Sequence, residues 1–385
     1  MTALPVPTST EETELARRIR ILSIEQWGER KAATLIGRHE SLLTALEKIV
    51  RFAQADGPML LQGESGTGKE LFAQAAYLLG SRRKRPFIAV NCAQYADGQL
   101  IASELFGHKR GSFTGAFTDH RGVFEEADGG VVLLDEVGEL SPSAQAMLLR
   151  ALSEGEILPV GETRARAVNV RVIAATNRDL RALVDAGKFR EDLFYRLHFL
   201  HLEVEPLRAR GNDWELMLGY FVRQLDYRTG QEKRVSDASL ERLAEYPWPG
   251  NVRELRGLVE GAYCLCGGEA VIEPRHFEEL LDGVRPAHRN GNGNGHRAAA
   301  GEGGSRLALE LLAQVTGGSG SFWSVVYEPF MERELNRGQV QAVIEEGLRR
   351  SNWSYKRALR VFGVASGDYL RFMDFLRHHH LKPPR

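Results

Sequence analysis

Cysteine is scarce in this chain, with only Cys92, Cys264 and Cys266 among 385 residues. With no metal-ligand or paired spacing among them, a disulfide scaffold is excluded and buried thiols of a reducing cytosol are expected. Long apolar runs are missing as well: no stretch approaches the roughly 18 apolar residues of a spanning helix. The opening MTALPVPTSTEETELARRIR has no basic region leading into an apolar one. A soluble, cytoplasmic protein without membrane contact is therefore expected. Charge of one sign is absent too, because 50 Lys and Arg against 51 Asp and Glu leave a formal net charge of -1. Any contact with nucleic acid must then be local. The length allows about two or three domains.

Residues 1–12, rich in Pro, Thr, Ser and Glu, are expected to be disordered, and a charged helix is expected over Glu14 to Lys31. So little chain before Ile36-Gly37 leaves no room for a sensor domain of ordinary size, and input is expected from elsewhere. Five apolar runs, Met59 to Gln62, Phe87 to Asn91, Val131 to Asp135, Val170 to Ala175 and Phe199 to Val204, alternate with amphipathic stretches. That alternation predicts an α/β domain with a mostly parallel sheet covered by helices. The periodicity turns helical throughout from about residue 210 to 283, as in a small all-helical lid. The expected organisation is a tail and helix over 1–34, an α/β subdomain over 35–207 and a helical lid over 208–284. A flexible Gly-rich linker over 285–320 then leads to a helical C-terminal domain over 321–385.

Gly63-Glu64-Ser65-Gly66-Thr67-Gly68-Lys69-Glu70 follows a predicted strand and opens a predicted helix, the context in which such a loop cradles phosphates. Its backbone N–H groups converge, the helix start adds positive potential, and Lys69 reaches the β and γ phosphates. Glu70 replaces the hydroxyl residue that usually holds magnesium, so the metal must be held mainly by phosphates, water and other carboxylates. Asp135 and Glu136 end the apolar run Val131 to Leu134, where two acids are costly unless they face a metal or a polarised water. Asp135 is assigned hydrated Mg2+ and Glu136 the attacking water. Asn177 and Asn91 end two other strands. The first is a candidate sensor of the γ phosphate and the second a candidate partner of Glu136 in one nucleotide state, although each is equally a strand-end cap. Arg190 and Arg196 stand beside an apolar helical face, either as fingers donated to a neighbouring subunit or as a solvated, salt-bridged surface. Arg253, after Trp248-Pro249-Gly250-Asn251, opens a lid helix that can close on the phosphates.

The segment Glu104 to Ala116, ELFGHKRGSFTGA, resembles the GAFTGA loop of the sigma-54-dependent transcriptional activators, or bacterial enhancer-binding proteins, which are AAA+ ATPases. Ser112 stands where Ala is usual. FIAVNCA, GGVVLLDE, VRVIAATNRDL, FREDLFYRL and WPGNVREL follow in the family's order, so the resemblance covers roughly residues 36 to 283. It implies an AAA+ P-loop domain, ATP with Mg2+, a ring of subunits that is typically hexameric, and sigma-54 with RNA polymerase as partners. Residue by residue it implies Gly111, Ser112, Phe113, Thr114, Gly115 and Ala116 as the partner loop, with Phe113 and Thr114 foremost. It also implies Arg190 and Arg196 as trans fingers, Asn91 as a switch on Glu136, Asn177 as γ-phosphate sensor and Arg253 as lid sensor. The Glu at position 70 is also usual in the family.

From the residues alone, glycines at 107, 111 and 115 favour a flexible turn, and an exposed Phe113 needs a partner, the alternative being an aromatic buried in a folded loop. The family usually ends in a Fis-like helix-turn-helix for enhancer DNA. Here helices are expected over Gly338 to Arg350, Ser354 to Phe362 and Ser366 to His379, with Gly363 as the turn. Between Arg349 and Arg385 nine Lys or Arg oppose two acids, which favours phosphate contact. The module is atypical, because Leu359 replaces a small residue and Asp368, Phe372, Asp374 and Phe375 replace polar readers. A dimer or partner surface is the alternative for that third helix, while the cluster Phe322 to Tyr327 reads as the module's core. An ATP-driven remodeller of sigma-54 RNA polymerase is the leading expectation. A nucleotide-binding scaffold without turnover, or a remodeller of another target, is the alternative.

Overall fold

The computed structural model describes residues 6–95, 98–284, 321–327, 330, 337–351, 355–364 and 368–378. The expected linker over 285–320 lies outside the described residues. The chain divides into two units, Met1–Ala287 and His288–Arg385.

In the first unit, α1 (Glu14–Trp27) and α2 (Glu40–Ala53) precede β1 (Met59–Gln62), α3 (Lys69–Leu79), β2 (Phe87–Asn91), α4 (Gly98–Phe106) and α5 (Val123–Glu126). They are followed by β3 (Val131–Asp135), α6 (Pro142–Glu154), the short β4 (Glu156–Ile157) and β5 (Arg166–Ala167), β6 (Arg171–Thr176), α7 (Leu180–Asp185), α8 (Glu191–Leu197) and β7 (Leu200–Glu203). Five strands form one parallel sheet in the order β2-β3-β6-β1-β7. Side chains alternate across a strand, and here both faces are covered. Leu60, Val132, Leu134, Val172 and Ala174 enter one core with α4 to α8. Met59, Leu61, Val131, Leu133, Ile173 and Ala175 enter the other with α1 to α3. Both faces bury apolar side chains, each worth about 1.5–3 kcal/mol, so the strands read as unbroken apolar runs. Because the strands are parallel, their polar ends Gly63, Asn91, Asp135 and Thr176-Asn177 meet at one edge.

The structure differs from the sequence expectations in several places. Residues 6–12 are packed: Glu12 is buried and pairs with Arg20 at 2.8 Å, Glu11 pairs with Arg223, and the Glu11 carbonyl accepts from the Gly37 N–H at 2.8 Å. Low hydrophobicity misled there, because these acids are ordered by arginines of α1 and the lid. The first helix stops at Trp27, since Gly28 turns with φ 81° before a short 3-10 turn Glu29–Lys31. The fourth run begins and ends one residue later than expected, at Arg171 and Thr176. Buried Arg171 belongs to the strand because its guanidinium donates to the Phe52 and Ala53 carbonyls at the end of α2.

After β7 come α9 (Asp213–Thr229), β8 (Arg234–Val235), α10 (Asp237–Ala244), α11 (Asn251–Leu265), β9 (Val271–Ile272) and α12 (Pro274–Val284). They enclose a separate core around Trp248, Leu255, Val259 and Phe277. The lid is helical except for the two-residue parallel ladder of β8 with β9, too short to leave a periodic signal.

In the second unit, helices Arg337–Arg350, Tyr355–Val361 and Tyr369–His378 pack around Phe322 and Val326. Gly363 makes the turn with φ 56°. The start expected at Ser366 lies outside the described residues. Phe322 meets Phe372 at 5.1 Å and Phe362 at 5.4 Å between ring centroids. Phe372 and Phe375 are core residues, which removes them as a partner surface; the side chain of Asp374 is outside the described residues. Close helix packing is provided by Gly347, where a Cβ would sit 2.2 Å from the Phe362 ring, and not at Leu359.

Candidate active site at the sheet edge

β1 runs into the loop Gly63 to Gly68, and α3 starts at Lys69, so the loop ends on a helix N-terminus. Gly66 and Gly68 adopt φ 80° and 93°, which side chains rarely tolerate. The Lys69 ammonium is buried and donates to the loop's own carbonyls, Gly63 at 2.9 Å and Glu64 at 3.0 Å. Burial pushes its pKa below the ordinary value, against the pull of Glu136 and Asp135. A phosphate would return the charge that burial disfavours. Thr67 is buried and donates to the Glu64 carbonyl, while Glu70 is exposed at the rim and accepts from Gln74 at 3.3 Å.

Asp135 ends β3, and its carboxylate accepts from the Glu136 N–H at 3.1 Å. Glu136 has φ 54° and ψ 48°, a left-handed conformation unusual for this residue type. Its carboxylate accepts from the Asn177 N–H at 3.2 Å, tying the ends of β3 and β6 together. The Asn177 side chain is exposed at the same edge. Asn91 lies directly beside Asp135 in the β2–β3 register, yet its Oδ1 accepts from the Ala93 N–H at 2.9 Å. The partner of Glu136 in this structure is thus Asn177, not Asn91. Burial, then the charges of Asp135 and Glu136, push the neighbouring Cys92 thiol up to about 12, so it stays protonated and inert.

A cavity of about 600 Å³ opens here, within the range for small-molecule sites. Ser65 to Lys69, Asp135, Glu136 and Arg253 line it, together with Leu35, Ile36, Met217 and Tyr220. Arg253 donates to the Ser65 Oγ at 3.0 Å. The cavity is also lined by Val6, Pro7 and Ile24, which sequence reasoning missed. So were Arg208 and Asn251, which grip the outside of the phosphate loop. Arg190 and Arg196 are absent from this cavity's lining. Arg190 is exposed and pairs with Asp192 at 2.7 Å, and Arg196 donates to the Leu152 carbonyl at 2.7 Å.

The segment 111–116 is a tight turn closed by the Gly111 N–H donating to the Ala116 carbonyl at 2.8 Å. Gly111 and Gly115 have φ 81° and 108°. Its stem is pinned by the Lys109–Asp119 ion pair and by the backbone bridge His108 to His120. Thr114 is exposed, Ala116 is buried and Ser112 is half-buried. Phe113, expected to be exposed, is half-buried and edge-on to His108 at 5.0 Å, whereas Phe117 is 83% exposed. Residue types alone do not carry the information that Phe117, not Phe113, faces solvent.

Residues 35–203 match the family described as the Sigma-54 interaction domain, and residues 208–293 match the AAA+ ATPase lid domain. The nitric oxide reductase transcription regulator NorR1 of Cupriavidus necator is 40% identical over 376 residues, spanning 94% of this chain and 68% of that protein. The chain belongs to the sigma-54-dependent transcriptional activators. Another relative, the Nif-specific regulatory protein of Azotobacter vinelandii, is 44% identical over 226 residues, spanning 59% of this chain and 43% of that protein. Across several relatives the chain spans about half their length, 43% to 52%. The crystal structure of NtrX from Brucella abortus in complex with ATP is similar with a TM-score of 0.60 and 25% identity, covering 89% of this chain and 69% of that one. The first matched span contains the phosphate loop, Asp135, Glu136 and the turn 111–116, and the second contains Arg253. Among the described residues no helix is long and apolar enough to cross a membrane.

Proposed function

We propose that this chain is an ATP-hydrolysing activator that remodels the closed promoter complex of sigma-54 RNA polymerase in the cytoplasm. The observation that carries the reading is the convergence of Lys69, Asp135, Glu136 and Arg253 on one cavity of nucleotide size. Lys69 holds the β and γ phosphates, and Arg253 reports their presence to the lid. Glu136 takes a proton from the attacking water, held in place by the Asn177 N–H. Among the described residues no three metal-binding side chains converge. Magnesium would therefore be held by Asp135, the phosphates and water, and when bound it neutralises charge on the transferred phosphoryl group. Glu70 at the rim does not oppose this, since Asp135 supplies the carboxylate.

The position of Arg190 and Arg196 outside their own subunit's cavity supports their donation to a neighbour, and hence a ring, typically a hexamer. Thr114 and Phe113, on a turn pinned by Lys109 and Asp119, are the contact with sigma-54. The basic C-terminal module binds enhancer DNA through phosphate contacts. Two measurements test the reading. Steady-state ATPase should exceed background with Mg2+, and sigma-54 should be retained in the presence of ADP–aluminium fluoride. Nucleotide binding without turnover would leave a scaffold, and turnover without sigma-54 retention would leave a remodeller of another target.

A further inference from the structure

The outer face of the phosphate loop is gripped by the lid, and the grip centres on one asparagine. Asn251 is fully buried and holds φ 53°, a conformation that Asn tolerates better than most residues. Its Nδ2 donates to the Glu64 Oε2 at 3.1 Å and to the Ser65 carbonyl at 3.0 Å, while its Oδ1 accepts from the Leu207 N–H at 2.7 Å. The next residue, Val252, donates its N–H to the Gly66 carbonyl at 3.0 Å. Arg208 closes the other side with a two-pronged pair to Glu64, at 2.8 and 2.5 Å. There is no slack between the two elements, because a Cβ on Gly66 would sit 2.3 Å from the Gly250 carbonyl.

In a planar trans peptide the C=O and the following N–H point in opposite directions. With the Ser65 and Gly66 carbonyls held by the lid, the N–H groups of the same two peptide planes are turned away from it. Asn251, Glu64 and Arg208 are not part of the cavity lining, so any effect they have on a bound nucleotide must pass through the loop.

We infer that Asn251 is a positioning residue for the nucleotide: with Glu64 and Arg208 it latches the phosphate loop to the lid, presetting the loop for phosphate and making the lid follow it. This rests on the phosphate-site reading above. Loop and lid are then linked reciprocally, since whatever a bound phosphate does to the loop's conformation is felt at Asn251.

The test uses the full chain and a fluorescent ADP analogue, so that binding is read without turnover. Asn251→Asp keeps the shape, the tolerance for positive φ and the acceptor for Leu207, but sets a carboxylate against Glu64. Losing a hydrogen bond to a charged group should weaken analogue binding about tenfold. Adding Glu64→Gln restores a donor across the pair and should recover about half of the lost affinity on a logarithmic scale. Should Asn251→Asp fail to fold, Arg208→Ala at the surface should still weaken binding about threefold. Binding within twofold of the parent for the variant measured, or no recovery in the double variant, overturns the latch. A parent that binds the analogue without hydrolysing ATP rejects the ATPase reading instead, and the same binding series still decides the latch.

Discussion

Glu136 holds a left-handed backbone, φ 54°, at the tip of β3, and the strain can be measured by comparing Glu136→Gly with Glu136→Ala. Both variants lose the carboxylate and its bond from the Asn177 N–H, so their difference isolates the backbone. At an ordinary position Gly is less stable than Ala by about 0.5–1 kcal/mol, owing to its larger freedom in the unfolded chain. In the left-handed region Ala incurs about 1–2 kcal/mol that Gly avoids. The usual order should therefore invert, leaving the Gly variant more stable by about 0.5–1 kcal/mol. For a unit of this size that corresponds to a melting temperature about 1–4 °C higher, readable by differential scanning calorimetry of the full chain. Neither variant should hydrolyse ATP, whereas Glu136→Gln should bind ATP and stall. An Ala variant as stable as the Gly variant, or more so, would refute the claim that strain is stored at this residue.

Other perturbations act on separate parts. Lys69→Ala removes a charge-assisted contact to the phosphates and should weaken ATP binding about a hundredfold by titration calorimetry; wild-type affinity would contradict the assignment. Arg190→Ala and Lys69→Ala subunits, each inactive alone, should regain about one quarter of the parental ATPase when mixed equally, because only junctions pairing an intact loop with an intact finger turn over. Absence of recovery would place Arg190 outside the trans role. Arg208, and to a lesser degree Asn251, hold the Glu64 carboxyl at about 2, below an ordinary 4.5. Its folded pKa lies below the unfolded one, so its contribution is complete above pH 4.5 and is lost as pH falls toward 2. Acid unfolding of Arg208→Ala, followed by circular dichroism, should begin at higher pH than the parent's; superimposable curves would deny the pairing any role.

The five-stranded sheet was legible because strands buried on both faces must be apolar at every position, and their polar ends mark one edge. The phosphate loop was legible because its glycines and lysine have fixed spacing. What stayed hidden depends on contacts distant in sequence. Asn251 and Arg208 meet Glu64 across more than 140 positions, and Glu11 and Glu12 are paired with Arg223 and Arg20. Asn91 was the candidate partner of Glu136 and Asn177 a candidate phosphate sensor, and only the turn after β6 shows that the Asn177 backbone N–H reaches the Glu136 carboxylate. Phe117 carried no motif, yet it is 83% exposed while Phe113 rests on His108.

In the proposed function, energy from ATP reaches sigma-54 through Phe113 and Thr114. That transfer is tested most directly by promoter opening, read as permanganate-reactive thymines in complexes of sigma-54 RNA polymerase with the purified chain. The parent should open the promoter with ATP and not with a non-hydrolysable analogue, and Thr114→Ala should hydrolyse ATP at close to the parental rate without opening it. Opening by Thr114→Ala at the parental level, or opening without hydrolysis, would contradict the account.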